Sequence, residues 1–379
     1  MGYCSTFPHS CCLPPVWFRK SRISTTCRRD DKDYTTQNHS LTTMKAVIPA
    51  AGQGTRLYPQ THTKPKAMVR IAGKPILGHI LSRLLETRVD EVVIVVGGTM
   101  QDQIVEYAEQ YFGDEFTFQF VEQESAEGLG HSIYQTEEIV RGEPALIVLG
   151  DMLFENGYGT FLEAHDALDD PDASIGVKTV DEPQHYGVAE LGEETRIERL
   201  VEKPDDPQSD YAISGVYIVE NTDLLFDSLD SLVDNDVRGA GDEYQLTDAL
   251  QRMIDADARI DIFEVEDWYD CGRPETLLEA NRVLLAKGDN DEADTLDNVV
   301  VVPPVDFGDN VVVEEALVGP NVSVDADSRI TDSIVRNSIV GQNAILESVN
   351  LEGSIVGDGA AVRSEANQLN VGDNSIIEL

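Results

Sequence analysis

The sequence predicts a doubly wound, mostly parallel α/β domain followed by a parallel β-helix. Three observations predict it. Short apolar runs such as Ala46-Val47-Ile48-Pro49, Val92 to Val96 and Ala145 to Leu149 lack polar alternation. Strands of that kind are buried on both faces, as in a parallel sheet covered by helices. Between them lie stretches whose apolar residues recur at helical spacing, so strand and helix alternate along the chain. Beyond residue 297 an aliphatic residue followed by glycine returns at Val318-Gly319, Val340-Gly341, Val356-Gly357 and Val371-Gly372. That is the hexapeptide pattern of a parallel β-helix.

Met44 opens the first strand, which breaks at Ala50-Ala51-Gly52. Pro75 stands at the first-turn position of a helix whose apolar stripe is Ile76, Leu77, Ile80, Leu81, Leu84 and Leu85. Glu91 to Val96 comes next as a strand, then residues 100–111 as a helix, and Phe116 to Val121 as an alternating strand. Leu129 to Val140 is helix-compatible, and Ala145 to Leu149 reads as a strand stopping at Gly150-Asp151. From residue 173 the pattern turns strand-rich (173–179, 186–190, 197–201, 211–219), with helices near 222–229, 244–256 and 274–286. This domain spans 44–288. The acidic run Lys287 to Glu292 has the composition of a linker, and the β-helix spans 297–379, with Phe307-Gly308-Asp309-Asn310 as a weaker copy.

The chain's 379 residues carry 28 basic and 70 acidic side chains, a formal net charge of -42. Such a surface repels nucleic acid and anionic lipid, so neither is expected as a partner. The carboxylates are spread along the chain rather than clustered, which suits a solvated surface in concentrated salt, and a halophilic source is the expectation. No apolar stretch has the length of a membrane span. Of five cysteines, only Cys271 lies beyond residue 27, so no disulfide framework is available to the body and a reducing cytoplasm is expected.

Residues 1–43 differ in character from the rest of the chain. They hold six basic and three acidic residues, leaving a net of -45 for the remainder. The segment is Ser/Thr-rich, without hydrophobic periodicity and without the apolar core of a secretory signal. A mis-called start with Met44 as the true initiator is the expectation, ahead of a targeting peptide or a disordered arm.

The richest stretch is the loop after the first strand, Ala51-Gly52-Gln53-Gly54-Thr55-Arg56-Leu57-Tyr58-Pro59, running on to Thr61 and Pro65-Lys66. Glycines let backbone N–H groups approach an anion, and Arg56 and Lys66 add positive charge. A dinucleotide fingerprint would need a third glycine where Leu57 stands, and a P-loop would end in Gly-Lys-Ser/Thr. Neither is present, which weighs against a dehydrogenase. The full run resembles the sugar-phosphate nucleotidylyltransferases, above all long-form glucose-1-phosphate thymidylyltransferases with a Rossmann-like domain and a left-handed β-helix.

The resemblance continues in order. It implies that Ala51, Gly52, Gly54, Thr55, Gln123 and Gly128 bind nucleotide, with Gln123 reading the pyrimidine edge and Gly128 admitting the base. It implies that Tyr186, Gly187, Glu202 and Lys203 take the sugar phosphate, and that Asp151 and Asp270 bind Mg²⁺. Arg56 and Lys66 would act on the departing pyrophosphate. Ser214 to Tyr217 resembles a segment lining the sugar pocket. Gly241 to Asp248 matches a landmark read as mainly structural, and Trp268 and Cys271 as packing residues.

The implied activity joins a sugar 1-phosphate to a nucleoside triphosphate, dTTP first and UTP as the alternative, without any matched His as a base. A β-helix acyltransferase would need such a histidine, and none occurs after His185. The β-helix is therefore expected to be structural, a spacer or oligomerisation element of a homo-oligomer. A non-catalytic regulatory relative would lack a metal carboxylate or a pyrophosphate cation, and neither is missing.

Overall fold

The computed structural model describes residues 44–52, 54–266, 268–288 and 298–364, together with the backbone of a strand at Val16–Phe18. These residues fall into two compact units that part between Ala280 and Asn281, inside the Pro274–Lys287 helix.

The first unit holds a nine-stranded sheet. Its spatial order is Ile197–Glu202, Gly187–Leu191, Tyr211–Val219, Ala145–Val148, Met44–Pro49, Val89–Val96 and Thr117–Glu122. Ala173–Thr179 lies along Tyr211–Val219, and Ile260–Glu264 pairs with it in turn. The run from Ala145–Val148 to Thr117–Glu122 is parallel, while Tyr211–Val219 is antiparallel to its neighbour Ala145–Val148. Ala46, Val47 and Ile48 are wholly buried on this central strand, which accounts for its continuous apolar run. Val47 joins a core with Leu225, Phe226, Leu229 and Leu250 from the helices Thr222–Asp234 and Leu246–Asp255. The helices Ile76–Leu84, Asp102–Phe112 and Tyr158–Asp166 form a second packed group, with Leu77, Ile80, Leu81 and Leu84 fully buried. The strand order reverses between Met44–Pro49 and Ala145–Val148, and ligands of such sheets bind beyond the carboxyl ends at that point.

The structure adds two local features. The helix-compatible stretch Leu129 to Val140 holds two helices, Leu129–Tyr134 and Glu137–Val140. Buried Thr136 turns its hydroxyl back onto Ile133 O at 2.7 Å, competing with the helical ladder and tightening the turn. A two-stranded antiparallel ladder pairs Met152–Phe154 with Trp268–Asp270; the sequence pattern does not show it, because three-residue strands are too short to have a legible period.

In the second unit, parallel strands stack into three sheets, as a β-helix requires. Val312 pairs with Arg329 and Arg329 with Ile345, so the coils advance by 17 and then 16 residues, tighter than three hexapeptides. Its interior is aliphatic: Val311, Val313, Val318, Val322, Ile330, Val335 and Leu346 are buried together. Corner residues Asn310, Glu315, Asn321, Asp327, Asp332, Asn337, Asn343 and Ser348 adopt positive φ, and most are Asn or Asp, the non-glycine residues that accept it best. Ser328, Ser333 and Ser338 are buried and accept backbone N–H bonds from Ala344, Val349 and Ser354 at 3.1 Å, one coil onward. The Val16–Phe18 strand runs antiparallel to Val311–Glu314. The remainder of residues 1–43, the linker residues 289–297 and the Val371-Gly372 repeat lie outside the described residues. No helix among the described residues is long and apolar enough to cross a membrane.

Candidate active site

The carboxyl ends of Met44–Pro49 and Ala145–Val148 open into a cleft of about 460 Å³. Its walls include Ala51, Gly52, Gly54, Thr55, Lys66, Gln123, Gly128 and Asp151, seven of them from the two loop segments assigned to nucleotide and pyrophosphate. A neighbouring hollow of about 430 Å³ shares Ala51, Gly52, Thr55 and Gln123 and adds Tyr58, His62 and Gly97 to Met100.

The loop folds back on itself through Gly54. This glycine has φ 60°, and a Cβ there would lie 2.9 Å from both Lys66 Cβ and Thr61 Cγ2. Thr61 Oγ1 donates to Gly54 O at 2.8 Å, closing the fold. Gly54 is thus required by the protein's own packing. Gly52 is different: nothing lies within 4 Å of the space a Cβ would take, so that backbone is left open to a ligand. Arg56 is exposed, lines neither cavity, and makes no hydrogen bond or ion pair among the described residues.

Lys66 is the centre of charge. Its ammonium donates to Asp151 Oδ2 and lies 3.8 Å from Asp270 Oδ1. The short two-stranded ladder makes this possible. Asp270 is in register with Met152, and Cys271 N donates to Asp151 O at 2.9 Å, so two carboxylates distant in sequence face one cation. A Cβ at Gly272 would lie 2.6 Å from Asp270 Oδ1 and 2.8 Å from Lys66 Nζ, so this glycine makes room for the cluster. Burial pushes the Cys271 thiol well above its usual range, and the thiol faces Tyr269 O; it is a packing group.

Gln123 ends the edge strand, anchored by its N–H to Val96 O at 2.8 Å, and is only 6% exposed. Gly128 has φ 107°, and a Cβ there would come within 2.6 Å of Tyr244 O. The segment Glu127–Gly130 is strapped to Tyr244 by bonds from Tyr244 N to Glu127 O and from Gly130 N to Tyr244 O, both 2.8 Å. Arg238 reinforces the strap: it bonds Glu127 Oε2 at 2.7 Å and stacks 4.3 Å over the Tyr244 ring. The Gly241–Asp248 landmark therefore braces the Glu127–Gly130 segment through Tyr244.

The sugar-phosphate candidates also meet. Gly187 pairs with Glu202 across a two-strand ladder, and Lys203 N donates to Tyr186 O at 3.0 Å. Glu202 accepts from Thr247 Oγ1 at 2.7 Å and from Lys203 Nζ at 2.9 Å. The Tyr186 ring packs 5.2 Å from Trp268, two residues before Asp270. Burial and then the Glu202 charge hold Asp248 above the usual carboxylate range. Neither cavity counts these four residues, or Asp270, among its walls. Ser214 is buried and donates to Gly176 O at 2.8 Å, a bond inside the sheet.

Ser132 and His131 are not marked by any motif in the sequence, and Thr247, inside the Gly241–Asp248 landmark, gains its contact with Glu202 only in the fold. Ser132 lines the cleft with a buried hydroxyl that has no partner among the described residues. His131 touches Gln123. His131 and Ser132 sit just beyond the Gln123–Leu129 motif, and only the packing brings them in.

The family model described as nucleotidyl transferase matches residues 45–287. The bifunctional protein GlmU of Methanococcus vannielii is 34% identical over 280 residues, 72% of this chain and 62% of that protein. The chain thus spans less than two thirds of that relative's length. The low-salt glycan biosynthesis nucleotidyltransferase Agl11 of Haloferax volcanii is 30% identical over 89% of this chain and 100% of its own length. A glucose-1-phosphate thymidylyltransferase of Streptomyces antibioticus is 30% identical over 89% of this chain and 99% of its own. Among solved structures, a UDP-glucose pyrophosphorylase complexed with UDP-glucose superposes with a TM-score of 0.55 at 27% identity, covering 65% of this chain and 100% of that one.

Proposed function

We propose that this chain, which belongs to the nucleotidyl transferase family, transfers a thymidylyl group from dTTP to glucose 1-phosphate and releases pyrophosphate. The observation that carries this reading is Lys66 held between Asp151 and Asp270 in a cleft that also presents Gln123 and Gly128. A sugar phosphate oxygen forms its bond to the α-phosphorus as the α–β bridging bond breaks. A phosphate monoester is already an anionic nucleophile, so no general base is required. The barrier is electrostatic, since two polyanions must meet and charge grows on the leaving group.

Lys66 and Arg56 oppose that charge. Ala51, Gly52, Gly54 and Thr55 cradle the triphosphate, and Gln123 with Gly128 take the base. Lys203, half-exposed beside Glu202, positions the attacking phosphate, while Tyr186, Gly187 and Glu202 take the sugar.

Two carboxylates converging on one cation suit Mg²⁺, which takes one or two protein carboxylates and completes its shell with phosphate oxygens and water. Asp151 and Asp270 would hold it, and when bound it would neutralise charge around the α-phosphate.

The Agl11 and thymidylyltransferase relatives, matched over nearly their whole lengths, support the long form with its β-helix, read here as an oligomerisation element. Pyrophosphate release is the test, measured with Mg²⁺ at high salt over dTTP, UTP, CTP and GTP and several sugar 1-phosphates. Preference for UTP would move the reading to a uridylyltransferase, as the UDP-glucose pyrophosphorylase likeness favours. No release with any pair would end the catalytic reading.

A further inference from the structure

We propose that His131 is a positioning residue for base selection: it holds the Gln123 carboxamide so that only an acceptor oxygen is offered to the base, which admits uracil or thymine and rejects cytosine. The inference rests on the nucleotidyl-transfer reading of the cleft.

The orientation comes from counting hydrogens. Gln123 Nε2 lies 3.3 Å from Gly128 O and 3.0 Å from His131 Nδ1. A backbone carbonyl can only accept, so the amide nitrogen must be the atom on that side. A carboxamide nitrogen carries two hydrogens; one goes to Gly128 O, and the other is left for Nδ1. Nδ1 must then be unprotonated, which places the ring proton of a neutral His131 on Nε2. The Gln135 carboxamide stands 3.0 Å from Nε2, and a half-turn lets its oxygen accept that proton.

The surroundings favour the neutral ring. His131 lies near the Tyr134 and Tyr244 rings, 6.4 and 6.1 Å away between centroids. Burial lowers its pKa, Glu127 opposes that and Arg238 adds to it, with the net shift downward. With both N–H groups of Gln123 spent, Oε1 remains. It has no partner among the described residues, although the side chain is nearly buried and lines the cleft.

A lone acceptor on a nearly buried side chain of the cleft wall is selective. Uracil and thymine present a ring N3–H and satisfy it. Cytosine presents an unprotonated N3, setting two acceptors face to face and leaving both unpaired. Without His131, the second amide hydrogen has no acceptor, and only the 3.3 Å bond to Gly128 O still opposes a turn of the nitrogen toward the cleft. The discrimination should then relax.

The test compares kcat/KM for UTP, dTTP and CTP in the full-length wild-type enzyme, His131→Phe and His131→Asn, with the sugar 1-phosphate that the wild type prefers. Asparagine keeps an acceptor oxygen near the place of Nδ1; phenylalanine keeps only bulk. His131→Phe should lower the UTP-to-CTP and dTTP-to-CTP ratios about tenfold or more, through the nucleotide KM, with the KM for sugar phosphate unchanged. His131→Asn should restore most of the ratio. A folded His131→Phe with an unchanged ratio overturns the proposal, as does wild-type enzyme that uses CTP as well as UTP and dTTP. Histidine ¹⁵N spectra of the wild type supply a readout that needs no variant: Nδ1 unprotonated at neutral pH is expected, and an Nδ1-protonated ring overturns the assignment. Absence of turnover with every nucleotide would instead strike the nucleotidyl-transfer reading, leaving the ¹⁵N result to judge His131.

Discussion

Replacing Lys66 with methionine keeps the aliphatic stem and removes the charge between two carboxylates. The ammonium lies 3.8 Å from Asp270 Oδ1 and closer to Asp151, whose side chains are 29% and 32% exposed. At an effective dielectric near 20, a pair at that distance attracts by about 4 kcal/mol before desolvation and screening. With both carboxylates about a third exposed, a net of roughly 1–2 kcal/mol survives. Metal-free Lys66→Met should therefore melt a few degrees below wild type, about 2–4 °C for each kcal/mol in a domain of this size.

The kinetic loss should be larger. A lysine facing charge that grows on a leaving pyrophosphate stabilises the transition state more than the ground state, and losing one such donor lowers turnover about 100- to 1,000-fold. Thermal melting in chelator and pyrophosphate release under saturating substrates read the two effects separately. Turnover within tenfold of wild type would refute the role given to Lys66 in the leaving-group charge. An unchanged melting temperature would refute a net stabilising ion pair.

Arg56→Ala should lower turnover while leaving sugar-phosphate KM and melting temperature unchanged, since Arg56 is exposed and unpaired among the described residues; an effect confined to sugar-phosphate affinity would contradict its assignment. Gly128→Ala sets a Cβ 2.6 Å from Tyr244 O at φ 107°, and should cost about 2–4 kcal/mol in urea unfolding and raise nucleotide KM. His79 donates to Ile71 O and is held down to about 4 by burial, so its neutral form stabilises the fold above pH 6.5. That contribution should fall away as pH drops from 6.5 to 4, by about 3 kcal/mol at most; urea melts of His79→Gln should lack this part of the slope. For a net charge of -42, stability should rise with KCl over the molar range, and full stability in dilute buffer would count against a salt-adapted surface.

The sequence alone was enough to read the long elements and to nominate candidates for the site. Continuous apolar strands such as Ala145–Val148 and the stripe of Ile76–Leu84 are legible because burial on two faces, or on one stripe, constrains every residue in the run. The loop from Gly52 to Lys66 is legible because its residue types are unusual together. Short elements were not: Met152–Phe154 and Trp268–Asp270 each offer three residues, too few for a period.

That long-range strand pair is what the tertiary structure decided. Its register sets Asp270 beside Asp151, and the tight turn at Gly54 carries Lys66 to the same point. Tertiary packing also separates two glycines that look equivalent in sequence, Gly54 filled by its own loop and Gly52 open to a ligand. The tautomer of His131 belongs to the same class, because it depends on which atom stands opposite, Gly128 O, and not on any residue type. A residue's type limits which groups it can offer; the direction in which it offers them is set by neighbours brought from elsewhere in the chain.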